Sequence, residues 1–211
     1  MIAELQLKGR SMILYYTPGA CSLAPHIVLS ESGLDFETVA IDLTAKLLPD
    51  GSDYKAINPK GAVPALGLDG GEILTENATI LQYLADQAGS TTLLPSQGLA
   101  RYRVLEWVTY MSTEIHKGFG PLWNPASSDD VKEATRTLLG AKFDYLQERL
   151  SGGSFLTGAA FTIADAYLFT LLNWAPMHKI GLARWPGLAA FQQRVAERRS
   201  VQQTLAAEGL I

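Results

Sequence analysis

One thiol opens the chemical reading of this chain. Cys21 stands in YYTPGACSLAPH, between a short aromatic run closed by Pro18-Gly19 and the start of a helix-like stretch. A thiol at a helix N-terminus lies near unsatisfied backbone amides and the positive end of the dipole, which favours the thiolate. A redox pair of the thioredoxin kind needs a second cysteine three positions on, and that position is Ala24. Any redox cycle at Cys21 therefore recruits an outside thiol. A lone cysteine is ordinarily a buried, inert packing residue, but the loop position beside Gly19 and Ser22 tips the reading to a site thiol. Two further segments carry recognition chemistry. In NPKGAVPAL (58–66), Val63-Pro64 can hold a tight turn, with a cis bond available, that leaves the Val63 backbone open to an extended peptide ligand. In LTENATI (74–80), Glu76-Asn77 opens a helix whose first amides could hold a carboxylate while Glu76 meets an ammonium. The plainer alternatives are an ordinary turn for the first and a helix cap for the second.

Farther along, Thr109, Thr113 and His116 recur at i, i+4 and i+7, a polar stripe apart from the apolar stripe of Val104, Val108, Met111 and Ile115. A lone histidine on a helix is more often a surface or packing residue than a site group. Thr162-Ile163-Ala164-Asp165 has a capping-box pattern with Asp in place of Glu, and a structural cap is the stronger reading of Asp165. Tyr16 reads as strand packing, whereas Ser22, beside the thiol, could donate to a ligand sulfur. With three histidines far apart and one cysteine, no metal site and no intramolecular disulfide are expected.

These residues need elements to hold them. Met12–Thr17 reads as a strand, Leu23–Ser32 as a helix closed by Gly33, and Glu37–Asp42 as a second strand. Residues 43–58 read as a short helix with loops. Ala65–Leu68 and Glu72–Thr75 flank Asp69-Gly70-Gly71 as a hairpin, and a helix follows over Asn77–Gln87. The stretch AGSTTLLPSQG (88–98) is the best boundary. Beyond it the pattern is helical: Arg101–Gly118, Asp130–Leu150, an almost wholly apolar Thr162–Trp174, Leu188–Arg199 and Val201–Glu208. Residues 1–11 read as an appendage, 12–88 as an α/β domain and 99–211 as an all-α domain.

The chain has 211 residues, 47% hydrophobic and 18% charged, enough apolar material for a packed core and too much for disorder. A net charge of −4 leaves no basic surplus for nucleic acid. The longest apolar runs fall short of the ~20 residues that span a membrane. The first residues lack the pattern of a signal peptide, so a cytoplasmic location is expected.

The strings YYTPGACSLAPHIVLSESG, NPKGAVPAL and LTENATILQYLAD, in that order, closely resemble the bacterial beta-class glutathione S-transferases. The likeness continues through EIHKGF (114–119) and FTIADAYLF (161–169) to the terminal AEGL, and so covers essentially all of residues 12–211. It implies a thioredoxin-like glutathione domain followed by an all-helical domain, in a homodimer. The implied activity joins reduced glutathione to a small hydrophobic electrophile, with glutathione as co-substrate and no cofactor. Carried over position by position, the family's site cysteine falls on Cys21. Its glutathione contacts fall on Lys46, Val63, Glu76 and Asn77 and on Thr113, Glu114, Ile115 and His116, with Thr109 a weaker candidate. Val63 would pair with the cysteinyl backbone, Glu76-Asn77 would hold the γ-glutamyl end, and Lys46 would take a carboxylate. His116 would join Cys21 as a catalytic group, either stabilising a thiolate as imidazolium or donating to the leaving group. Two positions depart from the family pattern: Asn77 stands where Ser or Gly is frequent, and Thr109 where relatives can carry Asn. Two other readings remain, a thiol–disulfide oxidoreductase or peroxidase using Cys21 and a non-catalytic binder of hydrophobic ligands. Turnover separates the last from the others.

Overall fold

The computed structural model describes residues 12–211, so the segment read as an appendage, 1–11, lies outside the described residues. The chain forms two compact units. The first contains residues up to Ser90 together with Arg199–Ile211, and the second is Thr91–Arg198.

In the first unit, strand β1 (Met12–Tyr16) leads through a tight loop to helix α1 (Leu23–Ser32) and strand β2 (Phe36–Ala40). Strands β3 (Ala65–Gly67) and β4 (Ile73–Thr75) precede helix α2 (Asn77–Gln87). The sheet order is β2-β1-β3-β4. β1 runs parallel to β2, with Leu14 opposite Thr38, and antiparallel to β3, with Leu14 opposite Leu66. This mixed sheet with its helices is the thioredoxin-like arrangement expected from the sequence. α1 ends where Gly33 takes a left-handed φ of 70°, a conformation that costs glycine little. The β3–β4 turn likewise places Gly70 and Gly71 at φ 91° and 87°, which is why the Asp-Gly-Gly signal was legible. Residues 43–58 hold the expected short helix with loops, as one 3-10 turn, Tyr54–Ala56, whose start is held by the Asp53 side chain accepting from Lys55 N. Tyr15, Ile41, Tyr54, Val63 and Ala65 form a core cluster of this unit.

The second unit is helical. Helix α3 (Gly98–Tyr110) passes into a π-helical turn, Met111–His116, and a 3-10 turn, Lys117–Phe119. The sequence predicts one unbroken helix to Gly118. The structure interrupts that helix with the π turn, inside which the Thr113 hydroxyl donates to the Thr109 carbonyl at 3.1 Å. Val104, Val108, Met111 and Ile115 are buried as expected. Helix α4 (Asp129–Leu150) starts at Ser128, whose hydroxyl accepts from Val131 N. Helix α5 (Ile163–Leu172) is buried along its whole length. It gives way at Asn173 to a single turn, Trp174–Met177, that includes Pro176. Helix α6 (Pro186–Ala196) completes the unit.

The C-terminal helix, α7 (Arg199–Ala207), departs from the predicted division, which placed it in the domain 99–211. It belongs to the first unit and packs on α1. Ser30 bonds Thr204 at 2.9 Å, Ser200 donates to Glu31, and Glu208 reaches both His26 and Gly19. Among the described residues no helix is long and apolar enough to cross a membrane.

Candidate functional site

The β1–α1 loop is held from within. The buried Ser22 hydroxyl accepts from Thr17 N at 3.2 Å and donates to Thr17 O at 3.3 Å. Ser22 is thus a loop brace and does not point its hydroxyl at a ligand. From below, Glu208 accepts from Gly19 N at 2.9 Å and pairs with His26 Nδ1 at 2.8 Å. Cys21 is half-buried, and its Sγ donates to Val63 O at 3.1 Å. The first amides of the helix are already engaged, Leu23 N with Ala20 O and Ala24 N with Cys21 O. The thiol therefore meets a carbonyl where unsatisfied amides were expected. Tyr16 packs edge-on against His26, as a strand residue would.

The Val63 turn carries the cis Val63–Pro64 bond that the sequence left open. Its preceding carbonyl, Ala62 O, accepts from both Tyr54 Oη at 2.9 Å and Asn58 Nδ2 at 2.7 Å. Burial pushes the Tyr54 hydroxyl up to about 12, so it stays protonated and remains a donor. Lys46, at φ 60°, sends its Nζ to Gly61 O at 2.7 Å, which brings its ammonium to the same turn.

At the start of α2, Glu76 sits at φ 71°. A non-glycine residue there is strained, and such strain tends to persist at sites of function. Neither Glu76 nor Asn77 acts as a helix cap, since the N-cap makes no side-chain bond. Glu76 Oε1 instead accepts from Lys60 Nζ at 2.5 Å, and Lys60 also reaches Thr75 Oγ1 at 2.7 Å. Asn77 is 7% exposed, and both its Nδ2 and Oδ1 are buried without a hydrogen-bond partner among the described residues. A buried amide left open at both ends costs about 1–3 kcal/mol. It is the kind of group a zwitterionic amino-acid end would satisfy.

In the second unit, Thr109 and Thr113 are exposed and linked by the bond that accompanies the π turn. The Glu114 carboxylate pairs with Lys142 at 2.6 Å, and Lys142 also donates to Glu114 O at 3.0 Å. The Ile115 side chain is fully buried, so only its backbone is available to a ligand. His116 Nδ1 bonds the Tyr167 hydroxyl at 2.7 Å. Asp165 is a structural cap: its Oδ2 accepts from Thr162 N at 2.9 Å and Thr162 Oγ1 at 2.7 Å, and its Oδ1 from Leu156 N at 2.9 Å.

The glutathione S-transferase N-terminal domain model matches residues 19–87, and the C-terminal domain model matches 110–199. The glutathione S-transferase GstA of Escherichia coli O157:H7 is 51% identical over 200 residues, covering 94% of this chain and all of that protein. The chain belongs to the glutathione S-transferase family. A sphingomonad glutathione S-transferase in complex with glutathione is 44% identical with a TM-score of 0.90, over 94% of this chain and 100% of that one. A bacterial beta-class glutathione S-transferase from Sphingomonas chungbukensis is 42% identical with a TM-score of 0.91, over the same shares.

For a glutathione S-transferase, several residues hydrogen-bonded to the candidate groups were not legible in the sequence. Tyr54 lies in the stretch 43–58, and Asn58 and Lys60 lie in NPKGAVPAL, of which only the Val63-Pro64 turn was singled out. Tyr167 carried a faint signal: a hydroxyl in a helix that is apolar all round needs a partner somewhere. Among the described residues no group of His, Cys, Asp and Glu could hold a metal ion.

Proposed function

We propose that this chain is a glutathione transferase of the beta class. It binds reduced glutathione through Cys21, Lys46, Val63, Glu76 and Asn77, and joins its sulfur to an electrophilic carbon of a small hydrophobic substrate. The thiolate attacks that carbon, a thioether forms, and the leaving group departs with the electron pair of the broken bond. The reading takes Thr109, Thr113, Glu114, Ile115 and His116 as further glutathione contacts, by carry-over from the family. It takes the protein as a cytoplasmic homodimer that needs no cofactor. Val131, Leu138 and Tyr145, exposed at seven-residue spacing on α4, give a second copy an apolar stripe to meet.

The observation that carries the proposal is the open Asn77 amide beside Glu76. Glutathione's γ-glutamyl end offers a carboxylate and an ammonium to the same spot. Asn77→Ala should weaken glutathione binding on the order of tenfold, the loss of one hydrogen bond to a charged group. The same change should leave the melting temperature level or raised, because it removes a buried polar group that has no partner in the free protein. Glu76→Ala should also weaken binding about tenfold. Its effect is tempered because the carboxylate is exposed and the ligand ammonium must share it with Lys60. Calorimetric titration beside a melting curve reads both, and unchanged affinity in the two variants would remove this helix start from the site.

Thiol–disulfide exchange is a second reading, favoured by the half-buried Cys21 next to the Val63 backbone. The Cys21 thiolate would attack one sulfur of oxidised glutathione, forming a mixed disulfide and releasing one glutathione thiolate. Mass spectrometry after incubation with oxidised glutathione should find one glutathione on Cys21. Cys21→Ala should lose that adduct and keep conjugation of an aryl halide, since glutathione brings its own nucleophile. Loss of both activities in a folded variant would mean that the two roles are not separate.

A further inference from the structure

The carbonyl that precedes Val63 is held more firmly than its own hydrogen bonding requires. Ala62 O accepts from Tyr54 Oη at 2.9 Å and from Asn58 Nδ2 at 2.7 Å. One donor satisfies a carbonyl, and two donors from different side chains also fix its direction. Both donors are themselves locked. Tyr54 is fully buried in the core cluster with Tyr15. Its backbone ties the turn to its neighbours, since Tyr54 N donates to Lys46 O at 2.8 Å and Asn58 N donates to Tyr54 O at 3.0 Å. Asn58 is buried as well, accepting at Oδ1 from Lys60 N at 3.2 Å and at its own carbonyl from Gly61 N at 2.8 Å. With an N–H facing its oxygen and a carbonyl facing its nitrogen, only one orientation of the side-chain amide satisfies both ends.

The direction of Ala62 O matters because of what lies across the peptide. The Ala62–Val63 bond is trans, and in a planar trans peptide the C=O and the N–H point opposite ways. Holding Ala62 O against two buried donors therefore turns the Val63 N–H away from them. That N–H has no hydrogen-bond partner among the described residues. All of these groups belong to the first unit. We propose that Tyr54 and Asn58 are positioning residues for glutathione, which fix this peptide plane from one side and so aim the Val63 N–H at the ligand's cysteinyl carbonyl. This rests on the transferase reading, in which Val63 pairs with the cysteinyl backbone. A donor set in place beforehand spares the ligand the cost of ordering the turn, so the two residues act on affinity and not on the chemical step.

In protein labelled with 15N-valine, Val63 is assigned by the peak that vanishes in Val63→Ile. Saturation with S-methylglutathione, which keeps the peptide backbone and blocks the sulfur, should move the Val63 amide downfield as it gains an acceptor. Tyr54→Phe keeps the ring and removes only the hydroxyl. In that variant without ligand the Val63 amide should shift, while Val104, Val108, Val131 and Val195 of the second unit stay in place as a check on folding. Its KM for glutathione should rise about two- to tenfold, the worth of one neutral hydrogen bond. Its kcat and its KM for an aryl halide should stay within about twofold, a split that general destabilisation would not produce. Asn58→Ala should act in the same direction and more strongly, since it also releases Lys60 N; if it fails to fold, Tyr54→Phe decides. A Val63 amide that stays in place when the wild type binds S-methylglutathione overturns the proposal. So does a Tyr54→Phe protein with the wild-type KM for glutathione, or one in which kcat and both KM values worsen together. A wild type that binds neither glutathione nor S-methylglutathione would instead bring down the transferase reading, and the positioning role with it.

Discussion

Glu208→Ala should be among the most damaging single substitutions in this protein, lowering stability by about 3–5 kcal/mol. The Glu208 side chain is fully buried, and its two oxygens are used separately. Oε1 pairs with His26 Nδ1 at 2.8 Å and Oε2 accepts from Gly19 N at 2.9 Å. Truncation takes the acceptor from a buried ring nitrogen and from a loop amide at once. For a chain of this length each kcal/mol shifts the melting temperature by about 2–4 °C, so a fall of roughly 6–20 °C is expected. Glu208→Gln keeps one acceptor oxygen and should fall between wild type and Ala. Because Gly19 lies two residues before Cys21, the alanine variant should also form the mixed disulfide with oxidised glutathione at an altered rate. Thermal melts of the three proteins test this directly. A Glu208→Ala protein that melts with the wild type would mean that the Glu208 carboxylate contributes nothing to holding the loop.

Asp165→Ala ranks beside it, with an expected loss of about 2–4 kcal/mol, because it leaves the buried amides of Leu156 and Thr162 without their acceptor. The same carboxyl makes a pH-dependent prediction of unusual sign. Burial pushes Asp165 up to about 6 and outweighs the hydrogen bonds that favour its charged form. In the unfolded chain it titrates near the ordinary Asp value of 3.8. Between those two values the native state holds the proton and the unfolded state does not. The native state therefore binds more protons, and this group's contribution to stability falls as pH rises from about 4 to about 6. A salt-bridged aspartate with a lowered value would do the opposite. Over the whole interval the swing is on the order of 3 kcal/mol. Subtracting the stability of Asp165→Asn from that of wild type at several pH values isolates the swing, and a difference that is flat or rises with pH would show Asp165 to be ionised in the native state throughout.

Elements whose signals are local were legible in the residues alone. The helix Leu23–Ser32 announced itself by spacing and by Gly33, the β3–β4 hairpin by Asp69-Gly70-Gly71, and α2 by its periodicity after Glu76. Cys21 was readable as a loop thiol because a strand signal ends just before it and a helix signal starts just after. Both depend on residues a few positions apart, whose backbone preferences act without the rest of the chain. Tertiary structure decided what those preferences cannot reach. Glu208 and His26 are 182 positions apart, and His116 and Tyr167 are 51 apart. No periodicity links such partners, since a hydrogen bond between them exists only once packing has brought the elements together. The same cause explains the C-terminal helix. Its amphipathic pattern predicts an apolar face but not which surface will cover it, and Ser200, Thr204 and Glu208 find their partners on α1 and its loop. At the π-helical turn the balance is finer: the Thr109–Thr113 spacing fits an α-helix as well, and a single hydroxyl bonded to a carbonyl accompanies the change. The chemistry of the thiol was legible as a possibility. Its actual partner, the Val63 carbonyl, belongs to a strand entry 42 residues away and was settled only by the fold.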